Sequence, residues 1–248
     1  MTSFNPLQSV TRTMDVLELL NRRAFSRVQD LAAETGLPTA TVVRILETLV
    51  QLGYVEKEGW RIGYRLTDRV LSLSRGYAGL PSYYETAREA LTALTREQGW
   101  PSALATLEDT AMVVRFSTIP DANLSHARST LNKRLDLLTR AHGRAYLAYC
   151  SEDERMGLYK GICETEISRF SAVELAEKME PILVQVRHLG YAERSHDIDP
   201  QTSTLALPIL RHGGPDATIG ITFFKGARPN RKALARRLRD VAEEISGS

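Results

Sequence analysis

Two groups of side chains in this chain combine recognising groups with a regular interval. The first is a polar stripe between Thr39 and Gln51. There Val42, Ile45, Leu46 and Leu49 recur at steps of three and four, the period of a helical face turned inward. The opposite face carries Thr39, Ala40, Thr41, Arg44, Thr48 and Gln51. Short hydroxyls around one arginine suit a helix laid in the major groove of double-stranded DNA. A guanidinium there reads a guanine edge, and a threonine meets a phosphate or a thymine methyl. Arg12, Arg61 and Arg65 are spaced to touch phosphates on either flank, and Ser9 joins them on the first helix.

The second group gathers around Leu137-Leu138-Thr139-Arg140-Ala141, which leads into a helix through Gly143, Arg144 and Tyr146. N–H groups at a helix start suit a carboxylate, and a glycine there admits close approach to the backbone. Trp100, Leu104, Met112, Phe116, Tyr146 and Phe223 offer an apolar and aromatic lining. Arg115, His126 or Arg128 offers a counter-charge, and the combination suits an aromatic carboxylate. His126 and Arg128 fall in an irregular stretch that would close over such a ligand. Enzymatic chemistry is not expected, because the chain has no nucleophile elbow, phosphate loop or zinc motif. His196-Asp197-Ile198-Asp199 is the most metal-like run, but adjacent loop residues rarely complete a site, so it reads as a solvated turn. No metal and no cofactor is expected.

Positioning the first group takes three helices and a hairpin. Ser9 is placed to cap a helix running to about Asn21, with Val10, Met14, Leu17 and Leu20 or Val16 facing inward. Val28 to Thr35 forms a short second helix, Gly36-Leu37-Pro38 turns the chain, and Thr39 to Leu52 is a third helix closed by Gly53. Tyr54 to Lys57 and Trp60 to Leu66 read as strands around Glu58-Gly59, which completes a winged helix-turn-helix. Thr67 opens a further helix to about Tyr77, and Gly79-Leu80-Pro81 stops it. Its stripe of Val70, Leu73 and Tyr77 would suit the same helix of a second subunit. The expected division is therefore a DNA-binding domain over 1–66, a linker helix over 67–80 and a larger domain over 81–248.

In that larger domain, Ser82/Glu85, Ser151/Glu154 and Ser171/Glu174 read as capping boxes. They predict helices to about Gln98, over 152–160 and over 172–189, the last kinked or broken near Glu180 by Pro181. Ala103 to Leu107 with Ala111 to Thr118, and Leu205 to Leu210 with Ala217 to Phe224, predict two hairpins. A terminal helix runs from Arg231 to Ile245. Helices alternating with antiparallel hairpins define an α+β domain around one central sheet.

Composition bounds the rest. The 248 residues are 43% hydrophobic and 25% charged, enough apolar material for a real core. Neither a signal-type segment nor a run of ~18 uncharged apolar residues occurs, so a cytoplasmic protein with no membrane partner is expected. Cys150 and Cys163 read as small buried hydrophobes in a reducing compartment. The net charge of +2 lies in the first eighty residues, a slight bias toward a polyanion there.

QSVTRTMDVLELL, DLAAETGLPTATVVRILETLVQLGYVEK and GYRLTDRVLSLS resemble the N-terminal region of IclR-type bacterial transcriptional regulators, through the core L-P-x-x-T-x-x-R-x-L-x-T-L-x-x-x-G-Y-V. KRLDLLTRAHGRAYLAYCSEDE resembles the family's central motif, R-x-P-L-x-x-x-A-x-G-K-A-x-L-A, with Asp136 replacing its proline and His142 preceding the matching Gly143. LGYA, TSTLALPIL and IGITFFKGA resemble the stretch closing the family's GAF-like effector pocket. WPSALATLEDTAMVVR and the central motif are similar to the branch controlling hydroxyphenylpropionate-type aromatic acid catabolism. The resemblance spans nearly the whole chain. It implies a regulator of a catabolic operon, acting as a homodimer or tetramer on a palindromic DNA operator. It further implies an acidic effector held by the backbone of Gly143 and Arg144, with Thr204, Phe223 and Lys225 at pocket positions. Two alternatives stand beside it: a sensor or protein-interaction module whose winged helix no longer binds DNA, and a regulator of aliphatic acid metabolism.

Overall fold

The structure is a computed structural model that describes residues 5–23, 25–59, 63–74, 76, 83–122, 130–165, 170–194 and 199–247. The chain forms two compact units that part in sequence between residues 80 and 81.

The first unit holds α1 (Gln8–Asn21), α2 (Val28–Thr35), α3 (Thr39–Gln51) and the hairpin β1 (Val55–Glu58) with β2 (Gly63–Leu66). Its core is Val16 and Leu20 of α1, Leu31 of α2, Val42, Leu46 and Leu49 of α3, and Val55 and Tyr64 of the hairpin. Gly36 takes φ +67 between α2 and α3, a left-handed turn that glycine adopts without steric cost. The hairpin is pinned to the loop before α2, where Ser26 and Tyr64 exchange both backbone hydrogen bonds at 2.9 and 3.0 Å. Gly63, at φ +117, permits this approach: a Cβ there would stand 2.5 Å from the Ser26 carbonyl oxygen.

Three expectations for this unit are corrected. The N-cap of α1 is Leu7, with extended backbone and no side-chain cap, so Ser9 lies inside the first turn and its carbonyl accepts from Thr13 Oγ1 at 2.7 Å. Val10 and Met14 are 56% and 50% exposed, because α1 packs through its C-terminal half. Beyond the wing, Asp68–Ser74 is a 3-10 helix, not the α-helix expected there. Thr67 opens it, accepting from the Arg69 N–H at 3.3 Å and donating to the Gly53 carbonyl at 2.6 Å. Tyr77 and Gly79-Leu80-Pro81 lie outside the described residues.

The second unit runs α4 (Tyr84–Gln98), β3 (Ser102–Glu108), β4 (Ala111–Ser117), β5 (Arg134–Asp136), α5 (Ala141–Tyr149), α6 (Glu152–Thr165), α7 (Ala172–Leu189), β6 (Ala192–Glu193), β7 (Thr202–Arg211), β8 (Gly214–Phe224) and α8 (Arg231–Ser246). Its strands make one antiparallel sheet in the order β5-β4-β3-β8-β7-β6. Strand alternation splits the sheet into two faces. Leu104, Leu205, Leu207, Ile209, Ile219, Ile221 and Phe223 pack under α4 and α8. Ala105, Met112 and Ala206 pack under α5, with α6 and α7 in the same cluster. The β7–β8 turn places His212 at φ +51 and Gly213 at φ +88. The architecture is the expected α+β one, a helix-turn-helix unit followed by a domain around an antiparallel sheet.

Local signals account for most of these elements. Ser171 and Glu174 form the full capping box on α7. That helix runs unbroken through Pro181, contrary to the expected kink, since both Pro181 and Glu177, whose carbonyl loses its helical donor, lie on the solvent side. Only the Glu85 half of the Ser82/Glu85 pair is described. Both cysteines are free; Cys150 is buried and its thiol is pushed up to about 11 by burial, and Cys163 is half-buried.

Candidate functional sites

α3 carries the polar face that its sequence predicts. Thr39, Ala40, Arg44, Thr48 and Gln51 are exposed and Thr41 is half-buried. Among the described residues no carboxylate pairs with Arg44 or with the exposed Arg12 of α1, so both guanidiniums stand available to an anion or a base edge. Thr48 spends its hydroxyl hydrogen on the Arg44 carbonyl at 2.8 Å, leaving its oxygen as an acceptor. The wing is tied to this helix by Tyr64, whose hydroxyl donates to Glu47 Oε1 at 3.1 Å. Burial and the Glu47 carboxylate raise the pKa of that phenol, so it remains a neutral donor. Arg65 is already engaged, paired with Glu56 and lying 3.3 Å from Glu58, and a phosphate would have to displace these partners. Arg61 falls outside the described residues.

In the second unit the expected pocket residues do not converge. Trp100, Leu104, Phe116 and Phe223 belong to the sheet face under α4 and α8, where Trp100 meets Phe223 and Phe224 edge-on at 6.5 and 5.7 Å. Met112 and Tyr146 belong to the α5 face. Arg115 is occupied by Thr106 Oγ1 at 2.9 Å and Glu108 Oε2 at 2.6 Å. Tyr146 donates to Glu154 Oε1 at 2.6 Å, which ties α5 to α6. His126 and Arg128 lie outside the described residues. Gly143 does permit a close approach, but by the chain itself. A Cβ there would stand 2.6 Å from the Asp136 carbonyl oxygen and closer still to Leu137 Cα.

What the fold does bring together, at the start of α5, is a set of arginines. Asp136 accepts from the Thr139 N–H and hydroxyl, each at 2.6 Å, and so fixes the turn before the helix. Arg140 follows as the N-cap residue, 3.5 Å from Asp136. Arg144, in the first turn, donates to the Leu138 carbonyl at 2.7 Å and to the Glu193 carbonyl at 3.1 Å. Arg194 arrives from the end of β6 with a side chain only 10% exposed; it donates to Thr202 Oγ1 at 2.6 Å and lies 3.7 Å from Asp199. Burial lowers the pKa of Arg194, Asp199 opposes this, and the charge on Arg140 lowers it further. Asp199 is held down to about 2, chiefly by the Thr202 hydroxyl, while its carbonyl accepts from Lys225 Nζ at 2.7 Å. Arg140 and Arg194 were not among the expected site residues, and nothing in their sequence spacing pairs them.

The sheet beneath is made of small residues and hydroxyls. Thr204 and Thr222 face each other across β7 and β8, with their Oγ1 atoms 3.0 Å apart. His142, the second residue of α5, is 5% exposed and its Nδ1 lies 2.8 Å from Thr218 Oγ1. Burial drops the imidazole pKa to about 4, so the ring is neutral near pH 7. Gly220 makes room for it, since a Cβ there would stand 2.6 Å from His142 Nε2. Among the described residues no cluster of His, Cys, Asp and Glu could hold a metal ion, and no helix is long and apolar enough to cross a membrane.

Comparison with known proteins follows the same division. Residues 9–59 match the IclR helix-turn-helix domain, and residues 83–247 match the family described as bacterial transcriptional regulator IclR C-terminal. The chain is 27% identical over 209 residues to the HTH-type transcriptional regulator XynR of Escherichia coli strain K12, covering 83% of this chain and 81% of that protein. A putative transcriptional regulator from Rhodococcus sp. RHA1 superposes with a TM-score of 0.66 at 25% identity, over 98% of each chain. An IclR homolog from Microbacterium hydrocarbonoxydans, solved in complex with 4-hydroxybenzoate, gives 0.64 at 20% identity over 97% of this chain and 98% of that one.

Proposed function

The chain belongs to the IclR family of DNA-binding transcriptional regulators, and on that premise we propose that it senses a small carboxylate, aromatic in character, and adjusts its hold on an operator accordingly. The families and relatives it matches are regulators, not enzymes. One observation carries the sensing assignment: Arg140 caps α5, Arg144 stands in its first turn and bonds the Glu193 carbonyl, and Arg194 follows Glu193 directly, so three guanidiniums are anchored around a helix start whose N–H groups already favour negative charge. The ligand seat is then the α5-facing side of a GAF-like domain, with Thr204 and Met112 beside it. Trp100, Leu104 and Phe223 serve as core on the other face. The likeness to the hydroxyphenylpropionate branch and the Microbacterium protein's 4-hydroxybenzoate complex support an aromatic acid over an aliphatic one.

For DNA, Thr39, Ala40, Thr41 and Arg44 meet base edges, and Ser9, Arg12, Arg61 and Arg65 meet phosphates. Residues 1–66 act as the head, 67–80 as the linker and 81–248 as the sensor, in a cytoplasmic homodimer or tetramer. Two-fold pairing of heads puts the recognition helices ~34 Å apart, or a multiple of that, on a palindromic site. The test is a thermal-shift screen of the full chain against hydroxylated benzoates, phenylpropanoates, phenylacetates, pyruvate and glyoxylate. An acid at ~100 times its Kd adds ~2.7 kcal/mol of stability. Shifts confined to aromatic acids support the assignment, shifts confined to aliphatic acids remove its aromatic part, and no shift with any acid removes carboxylate sensing.

A further inference from the structure

The last helix is charged against its own dipole. Residues 225–239 hold seven lysines and arginines and no acid, whereas residues 240–248 hold Asp240, Glu243 and Glu244 and no lysine or arginine. α8 therefore begins cationic and ends acidic, with no acid in its first turn and no base in its last. The N–H groups at a helix start carry partial positive charge and the carbonyls at its end partial negative charge, so both ends have the disfavoured sign. Neighbouring side chains add to this. Lys232 with Arg236, and Asp240 with Glu244, are like-charged pairs four residues apart, which destabilise an isolated helix.

The subunit answers only part of this charge. Arg231 lies 3.1 Å from Glu193, Arg237 is held by Glu97 at 2.5 Å and Asp240 at 3.0 Å, and Arg239 donates to the Gly190 carbonyl at 3.4 Å. Lys232, Arg236 and Glu244 are exposed and, among the described residues, have no ion-pair partner. Leu234, Leu238, Val241 and Ile245 pack into the core, which turns Lys232, Arg236, Asp240 and Glu244 outward as one ridge with the signs plus, plus, minus, minus. That order is complementary to itself when reversed. An antiparallel copy about a two-fold axis near Leu238 sets Arg236 opposite Asp240 and Lys232 opposite Glu244, each contact being repeated by symmetry. It also lays each helix start beside the other's end. Next to the ridge, α4 and α8 leave a cleft of about 280 Å³ lined by Ala90, Ala93, Val241, Glu89 and Glu244, which suits the long cationic side chain of such a copy.

We propose that the outer face of α8 docks the same face of a second copy of this chain, antiparallel, through these reciprocal ion pairs. Duplex DNA would be drawn to the cationic half of the ridge but repelled by the acidic half, and the acids are what favour a second copy. The inference rests on the oligomer proposed above and names one of its contact faces; it does not depend on carboxylate sensing.

The test is sedimentation velocity of the full chain across a salt series. Between ~0.1 M and ~1 M NaCl the Debye length falls from ~10 to ~3 Å, and the mass of the assembly is expected to halve as the exposed pairs are screened. Two double variants then probe the register at ~0.1 M salt: Lys232→Glu with Arg236→Glu, and Asp240→Lys with Glu244→Lys. Each alone sets like charges face to face and is expected to raise the dissociation constant of self-association at least about tenfold. An equimolar mixture of the two is expected to restore it, because every reversed charge then meets an opposite one, and the restoration itself shows that both variants fold. A mass that ignores salt, a mass that both variants leave unchanged, or a loss that mixing does not restore would overturn the α8 contact while the oligomer stands. A chain that is monomeric at every salt concentration would overturn contact and oligomer together. If the acidic variant weakens DNA binding and the basic one strengthens it with no change in mass, α8 is a polyanion surface and the proposal falls.

Discussion

Arg44 and Gly143 show how differently two side chains can matter. Arg44 is exposed on the outer face of α3 and, among the described residues, its side chain has no ion-pair partner, so its replacement leaves the fold alone and changes only what the helix reads. Arg44→Ala is expected to cost ~1–3 kcal/mol of discrimination between operator variants in competition binding, and an equal loss on every sequence would make it a phosphate contact. Gly143 is the opposite case. A Cβ there meets the backbone of Asp136 and Leu137, which cannot swing aside. Gly143→Ala should therefore lower stability by ~1–3 kcal/mol or more even without a ligand. Scanning calorimetry that found no loss would contradict the packing described. His142 adds a pH dependence. Burial lowers its pKa from 6.5 to about 4, so the unfolded chain takes up a proton that the native state refuses as pH falls through that window. Its contribution is full above 6.5 and is lost on acidification, ~3 kcal/mol in all. Carboxylates held low elsewhere lose stability on acidification too, so the measurement is the difference between wild type and His142→Asn; identical acid profiles would contradict it.

The wing illustrates how an element can hold a contact in reserve. Arg65 on β2 faces Glu56 and Glu58 on β1, in exposed ion pairs of the kind that contribute little to stability. Replacing both Glu56 and Glu58 with glutamine should free the guanidinium, leave the melting temperature almost unchanged and steepen the salt dependence of DNA binding by ~0.9 in log–log slope. An unchanged slope would mean that Arg65 stays off the phosphates. The elements with strong local signals were legible from sequence: the α2–Gly36–α3 turn, the Ser171/Glu174 box and both long hairpins. β5 and β6, at three and two residues, are too short to show a period. Alternation along a strand also says which residues share a face but not which face meets which helix. A register shift between Leu104 and Ala105 compounds this, so lining residues chosen by type were drawn from both sides of the sheet. The arginine cluster was invisible for a related reason. Arg194 reaches the start of α5 only because β6 pairs with β7, and tertiary pairing of that kind leaves no local mark.

In the proposed division of labour, the first unit reads DNA through an exposed polar helix with available arginines, and the second senses through a buried, cation-rich helix start. A ligand in the second changes DNA binding only if it favours one arrangement of the whole assembly over another. Such coupling typically amounts to ~1–3 kcal/mol, or about 5- to 150-fold in affinity. The decisive measurement is a fluorescence-anisotropy titration of the full chain with a duplex selected from a random pool, across a salt series. It is run with and without whichever acid most raises the melting temperature. The expected result is a Kd that climbs steeply with salt and shifts at least about fivefold when the acid is added. Binding indifferent to salt, or a Kd unmoved by an acid that demonstrably binds, would contradict the assignment of this protein as a carboxylate-responsive regulator.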